Sequence, residues 1–234
     1  MKHSGKIALL FAVVGAGAAA LMVFGAQLGL WEPIMGFGLY RSWFNPLAMV
    51  VAGVGIVALV IHLVRKERKQ AALSGIAALV GVAMLAPMIS STINPPVRGA
   101  PINDIATDTA NPLDFQVLES PQPYAGAEVA EVQARTYPDI SPLITDLDAD
   151  AAYARALAVA NDMGWEIVAE DVENHRFEAI ARTSVFYFAD DVVVVVTEQE
   201  GGSRVDMRSV SRVGRSDQGV NAARIRAFQE QFSN

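Results

Sequence analysis

Three long apolar runs near the N-terminus constrain this chain more than any other feature. Ile7 to Leu30 contains twenty-four uncharged residues, which as a helix reach about 36 Å and cross a hydrocarbon core about 30 Å thick with some tilt. A second run covers about Leu47 to Val64 and a third Ala71 to Ile89, with His62 the one titratable residue among them. The expectation is three transmembrane helices, at about 7–30, 47–64 and 71–89. Lys2 and Lys6 precede the first, and Arg65, Lys66, Arg68 and Lys69 separate the second from the third. Basic loops stay on the cytoplasmic side, so everything beyond Ile89 is expected outside the cytoplasm. Trp31, Tyr40, Trp43 and Phe44 fall in the expected first loop and suit the outer headgroup layer.

The first run also imitates other things. Its basic start and the small residues Ala18, Ala19 and Ala20 resemble a signal peptide, but the apolar stretch is long for one, which favours an uncleaved anchor. Gly15-Ala16-Gly17-Ala18-Ala19-Ala20 fits a dinucleotide-binding spacing without the strand–helix–strand unit that gives the spacing meaning. Gly15 and Ala19, and Ala77 and Gly81, instead read as small residues that let helices approach closely. His62 has no acidic partner within any run, so it reads as a histidine reaching the interface rather than a proton relay.

Charge divides the chain at the same place. Residues 1–89 carry a net +5 and the remainder −12, within an overall −7. An acidic C-terminal region lacks the basic face that neutralises phosphates, which argues against nucleic acid as a partner. The chain has no cysteine, so disulfides, thiolate metal sites and cysteine nucleophiles are excluded. With His175 as the single histidine of the C-terminal region, neither a metal centre nor a cofactor is expected.

Residues 90–131 read as a proline-rich linker, with Pro95, Pro96 and Pro101, followed by an extended arm and a loop around Pro121 and Pro123. In the arm, Asn103, Asp104, Asp108, Asn111 and Asp114 offer oxygen ligands for a hard cation, or form Asx-turns as the arm wraps the domain. The compact domain is expected over 132–234. Gln133 to Tyr137 suits a short edge strand. Asp146-Leu147-Asp148-Ala149-Asp150 opens like a calcium loop, but Ala151 and Leu157 stand where that loop needs glycine and glutamate, so these acids suit a helix N-terminus. Tyr153, Ala156, Leu157, Ala160 and Met163 form an apolar stripe, and Gly164 ends the helix. Strands are expected at 165–170, 176–183, 191–197 and 203–212, joined by turns. The fold class is therefore a membrane region of three transmembrane helices plus an α+β domain. That domain is a mostly antiparallel, helix-grip-like sheet with two helices on one face.

Three surfaces carry candidate chemistry. Arg176, Arg182, Arg204, Arg208 and Arg212 share the outer sheet face, suited either to a lipid phosphate or acidic glycan or to cross-strand ion pairs with Glu178 and Asp206. Phe186-Tyr187-Phe188 offers a contact surface or core rings, and Asp190-Asp191 acid–base groups or turn residues. Ser203 to Phe232 is the densest run: alternate residues Val205, Met207, Ser209 and Ser211 face one way, a glycine-flanked turn follows, and Ile225, Phe228 and Phe232 recur at helical spacing.

Ile102-Asn103-Asp104-Ile105 with Asn111-Pro112, Tyr137-Pro138, Gly164-Trp165, Phe188-x-Asp190-Asp191-Val192-Val193 and Arg208-Ser209-x-Ser211-Arg212-x-Gly214-x-Ser216-Asp217-x-Gly219-x-Asn221 resemble the family catalogued as domain of unknown function 1499, over roughly residues 102–232. The resemblance implies membership without an activity. It points to Ser209, Ser211, Arg212, Ser216, Asp217, Asn221 and Arg224 as the matching polar cluster, with Asp190, Asp191, Asp104 and Asp108 as secondary candidates. On the helix face shared with Ile225 and Phe228, Asn221 is expected to turn inward toward Ser209 and Ser211. There it either pins the turn or helps hold an anion at the helix N-terminus. The residues favour a non-catalytic binding or scaffolding domain at the cell envelope, on the extracytoplasmic side of the inner membrane. Its expected partners are membrane lipid, an envelope protein, and an anion or lipid headgroup. The alternative is a small hydrolase using Ser209 or Ser216 with Asp217 and His175.

Overall fold

A computed structural model describes residues 3–95, 100–119, 124 and 126–234 of the chain. Pro96, Pro121 and Pro123, read above as linker and loop, lie outside the described residues. The chain divides into two compact units, residues 1–97 with 184–187, and residues 98–183 with 188–234.

The first unit is helical: α1 (Ser4–Phe24), α2 (Pro33–Val64), α3 (Arg68–Met84) and the short α4 (Ala86–Ile93). Three stretches, Ser4–Phe24, Pro33–Val64 and Arg68–Ile93, are long and apolar enough to cross a membrane. The expected outer loop is shorter than the apolar count implied. α2 starts at Pro33, where proline fits the first turn, and takes in Tyr40, Trp43 and Phe44. The helix runs through Pro46, whose position four residues after Ser42 removes one rung of the backbone ladder without ending the helix.

Small residues set the helix spacing, as their pattern implied. A Cβ on Gly81 would stand 2.3 Å from the Ala52 backbone nitrogen, and one on Gly55 2.4 Å from that of Ala78. α2 and α3 therefore touch backbone to backbone. Ala8, Ala12, Val51 and Ala77 form the buried centre of the three helices. Phe186 belongs to the same unit, its ring edge-on to Phe37 and Tyr40 at 5.3 Å from each.

The second unit is an antiparallel sheet with helices. Its elements are β1 (Asp104–Ala106), α5 (Ala127–Thr136), β2 (Leu143–Thr145), α6 (Ala149–Asp162), β3 (Glu166–Asp171), β4 (Arg176–Arg182), β5 (Ala189–Gln199), β6 (Gly202–Ser211) and α7 (Val220–Ser233). The strand order is β1-β6-β5-β4-β3, and β2 also pairs with β6, at its other end. The core lies between one sheet face and helices α6 and α7. Phe177, Ala179, Val192, Val194, Val205 and Met207 meet Tyr153 and Ala156 of α6 and Ile225 and Phe228 of α7. The valine run occupies β5, between β4 and β6, and Val192, Val193 and Val194 are buried, so both faces of the strand are shielded.

Asp148 caps α6 by accepting from the Ala151 backbone N–H at 2.8 Å, and Gly164 takes φ 72° just beyond that helix. The acids of the calcium-like motif thus serve the helix start. β1 and β2 were missed because three residues show no period. The expected edge strand at Gln133 to Tyr137 is instead the last turn of α5, which begins before Pro138 can interrupt it. Gln133 nevertheless does a strand's work: its amide accepts from the Ala106 N–H at 3.1 Å and donates to the Ala106 carbonyl at 2.6 Å. The outer edge of β1 is thereby satisfied by a side chain.

Candidate functional site

The apolar inner face of β6 turns polar at its C-terminal end. Ser209 lies between Val192 of β5 and Ile105 of β1, and Ser211 lies opposite Asp190. α7 packs over this end and brings Asn221 and Arg224 down onto it. The Ser209 hydroxyl donates to Asn221 Oδ1 at 2.7 Å and accepts from Arg224 at 2.9 Å. Asn221 Nδ2 donates to the Asn103 carbonyl at 2.9 Å and to Ser211 Oγ at 3.0 Å. Arg224 also donates to Asn221 Oδ1 and reaches Asp190 Oδ2 at 2.5 Å. Asn221 and Ser209 have no exposed surface, and each is satisfied by the others. Burial pushes the Asp190 carboxyl above the usual carboxylate range, with Arg224 and Ser211 working against that rise.

The turn into α7 completes the arrangement. Gly219 adopts φ 87°, a left-handed conformation that favours glycine. The Asp217 carboxylate accepts from the backbone N–H of Gly219 at 2.9 Å and of Asn221 at 2.6 Å. Ser216 donates to the Ala100 carbonyl at 2.7 Å, and the Asn103 side chain donates to the Gly214 carbonyl at 2.8 Å. A helix N-terminus beside arginines is suited to an anion, but here the Asp217 carboxylate takes that place from within the chain. Arg212 points to the other sheet face, where it pairs with the buried Asp191 at 2.8 Å.

That other face is covered in part, with Arg208 buried and Arg182 and Arg212 exposed. The segment after β1 crosses it, held by a fork from Arg208 to Asp104 with bonds of 2.9 and 2.8 Å, and by Arg208 donating to the Leu113 carbonyl at 2.8 Å. The guanidinium lies 5.3 Å from the Phe115 ring centre and 5.5 Å from that of Tyr124. Burial, with the nearby Asp104 charge, pushes the Tyr124 hydroxyl up to about 12, against the opposing effect of Arg208. Glu178 accepts from the backbone N–H groups of Gln116, Val117 and Leu118 at 2.5, 3.1 and 2.7 Å. Burial acts to raise the Glu178 carboxyl, but these donors and Arg176 hold it below its ordinary range. Arg204 joins Asp108 at 2.6 Å and Asp206 at 2.7 Å, and Arg182 joins Glu166 at 3.2 Å. All five arginines proposed for an anion surface thus have carboxylate partners, and Arg208 is almost wholly buried.

Asp108 forms the expected Asx-turn, accepting from Ala110 and Asn111; the Asn111 backbone bond comes first among the causes that lower its carboxyl. Among the described residues no group of three His, Asp or Glu side chains is placed to hold a metal ion. The hydrolase constellation is not brought together. His175 Nε2 meets Asp150 at 2.7 Å beside the Tyr153 ring, whereas Ser209 and Ser216 are engaged by Asn221 and Ala100.

His62 lies in the last turn of α2 and has partners outside its own apolar run. It is buried, with Nδ1 2.7 Å from Glu67 and Nε2 3.1 Å from Ser4 Oγ, so it joins α1 to the turn between α2 and α3. Glu67 escaped notice because it lies just outside the apolar run. Asn103 was also missed as a member of the cluster, although the Ile-Asn-Asp-Ile motif was its signal.

The model for the family described as Protein of unknown function (DUF1499) matches residues 104–232, more than half of the chain and including β1, the whole sheet and all but the last residue of α7. No curated protein matches the chain.

Proposed function

The chain belongs to the family described as Protein of unknown function (DUF1499), and from that premise we propose that it is a membrane-anchored envelope protein with a non-catalytic binding or scaffolding domain. α1, α2 and the α3–α4 pair are its three spans in the inner membrane. The N-terminus and the turn bearing Arg65, Lys66, Arg68 and Lys69 face the cytoplasm, and the sheet domain, a helix-grip-like layer, lies on the extracytoplasmic side. The distribution of Lys and Arg supports this orientation.

The observation that carries the non-catalytic reading is the internal engagement of the polar cluster. Ser209, Ser211, Ser216, Asp217, Asn221 and Arg224 each bond to another part of the domain, and the buried members hold one another. A nucleophile needs a base within hydrogen-bond reach; among the described residues Ser209 meets Asn221 and Arg224, and Ser216 meets the Ala100 carbonyl and Gln218. Residues spent on closing the fold leave recognition to surfaces outside the cluster, beside a partner membrane protein.

The chain's lack of cysteine makes the topology directly testable. An Asn234→Cys variant in intact spheroplasts is expected to react with a membrane-impermeant maleimide without lysis. Reaction only after lysis overturns the orientation. Extracted in mild detergent, the chain is expected in an assembly larger than its own 25.0 kDa; recovery solely as monomer with lipid overturns the scaffolding role.

A further inference from the structure

A cavity of about 320 Å³ lies within the helical unit, between the N-terminal part of α2 and α4. Phe37, Arg41 and Asn45 follow at intervals of four and so form one stripe of α2. Tyr40 flanks it, and Met88 and Ser91 of α4 face it. Among the described residues no hydrogen bond or ion pair to Arg41 or Asn45 side chains occurs, and the Ser91 hydroxyl donates back to the Met88 carbonyl at 2.9 Å. The arginines of the sheet behave differently, each having a carboxylate.

Depth along the helix gives Arg41 its meaning. Arg41 lies twenty-four positions before Arg65, or about 36 Å of helix, which exceeds the roughly 30 Å hydrocarbon core and stays within the roughly 40–45 Å that includes both headgroup layers. With Arg65 at one surface, Arg41 stands among the headgroups of the opposite leaflet. No Asp, Glu, Lys or Arg lies between them, and His62 is the one histidine there. A guanidinium at this depth meets phosphodiesters, whose oxygens its planar fork matches, and the Asn45 amide adds two donors. The lining contains a cation and no carboxylate, so nothing in it compensates a choline or ethanolamine group through an ion pair.

We infer that the cavity between α2 and α4 is a binding site for the phosphate of an anionic phospholipid in the leaflet opposite Arg65, with Arg41 and Asn45 as its donors. The inference rests on the membrane-spanning reading above. Phe37 and Met88 line the apolar part of the cavity against the glycerol and upper acyl carbons.

The test uses the full chain, reconstituted and then extracted in mild detergent, with native mass spectrometry during titration by phosphatidylglycerol. The wild type is expected to retain one phosphatidylglycerol more tightly than phosphatidylcholine, and Arg41→Gln to weaken that retention about five- to tenfold. Asn45→Ala is expected to weaken it by a smaller factor. Equal retention by wild type and both variants overturns the site, as does displacement of the lipid by millimolar inorganic phosphate, which marks a free-anion site instead. Carbonate extraction separates the two readings. A wild type that stays in the membrane yet shows no Arg41-dependent lipid sinks only this inference, whereas a wild type released into solution sinks the membrane-spanning reading as well.

Discussion

Arg208 and Asp104 face each other as a two-pronged ion pair, 104 positions apart in sequence and both buried. Neighbouring strands bring them together: Asp104 pairs with Val210 across β1 and β6, and Ala106 with Arg208. Arg208 also grips the Leu113 carbonyl, so one side chain fixes both the strand and the segment that follows.

Replacing Arg208 with Met leaves the Asp104 carboxylate buried without its partner. The expected loss is about 3–5 kcal/mol, the usual effect of breaking a buried pair from one side. Urea titration of the detergent-solubilised chain checks it, together with increased hydrogen exchange at residues 104–118. Arg208→Lys is expected to recover only part, because an ammonium lacks the planar fork.

Acid is expected to release the same covering segment. Glu178 has a carboxyl held below its ordinary value, so the folded state binds its proton less readily than the unfolded chain does. Its stabilisation is complete above the unfolded value, about 4.3, and disappears as pH falls through the lower folded value. Exchange at the Gln116, Val117 and Leu118 amides is the readout, rising in the wild type only below that range. In Glu178→Gln the protection is expected to be weaker at neutral pH and to lose its dependence on this carboxyl.

Gly202 is a separate test of the sheet edge. Its φ is 150°, and a Cβ there would stand 2.0 Å from the Thr145 carbonyl oxygen. Gly202→Ala must therefore push β2 away from β6 and is expected to cost about 1–3 kcal/mol. Faster exchange confined to Leu143–Thr145 and the facing part of β6 locates the damage.

Periodicity made the long elements legible and failed where structure depends on distant partners. Tyr153, Ala156 and Ala160 marked α6 at helical spacing, and the valines of β5 announced a covered strand. β1 offers no such signal: it is strand because β6 and Gln133 satisfy its two edges, from 104 and 27 residues away. Asn221 was readable as an inward amide because Ile225 and Phe228 fixed its helix face. Arg224, one residue short of Ile225, shares that polar end, but its Asp190 partner needed the strand register to be known. The outer arginines alternated with acids in sequence, which suggested ion pairs without revealing the segment that buries Arg208. The partner of His62, Glu67, lies five residues on and past the end of the apolar run, where periodicity carries no signal.

Asn221→Ala tests the central claim most directly, that the polar cluster closes the domain by docking α7 onto β6. The substitution removes the acceptor of Ser209 and Arg224 and the donor to Asn103 and Ser211, all buried or nearly so. Hydrogen-exchange protection of the α7 and β6 amides in the full chain is the measurement. The account predicts a loss of about 2–4 kcal/mol in opening free energy across both elements. Protection within about 0.5 kcal/mol of the wild type would contradict it and return the cluster to the role of a ligand site.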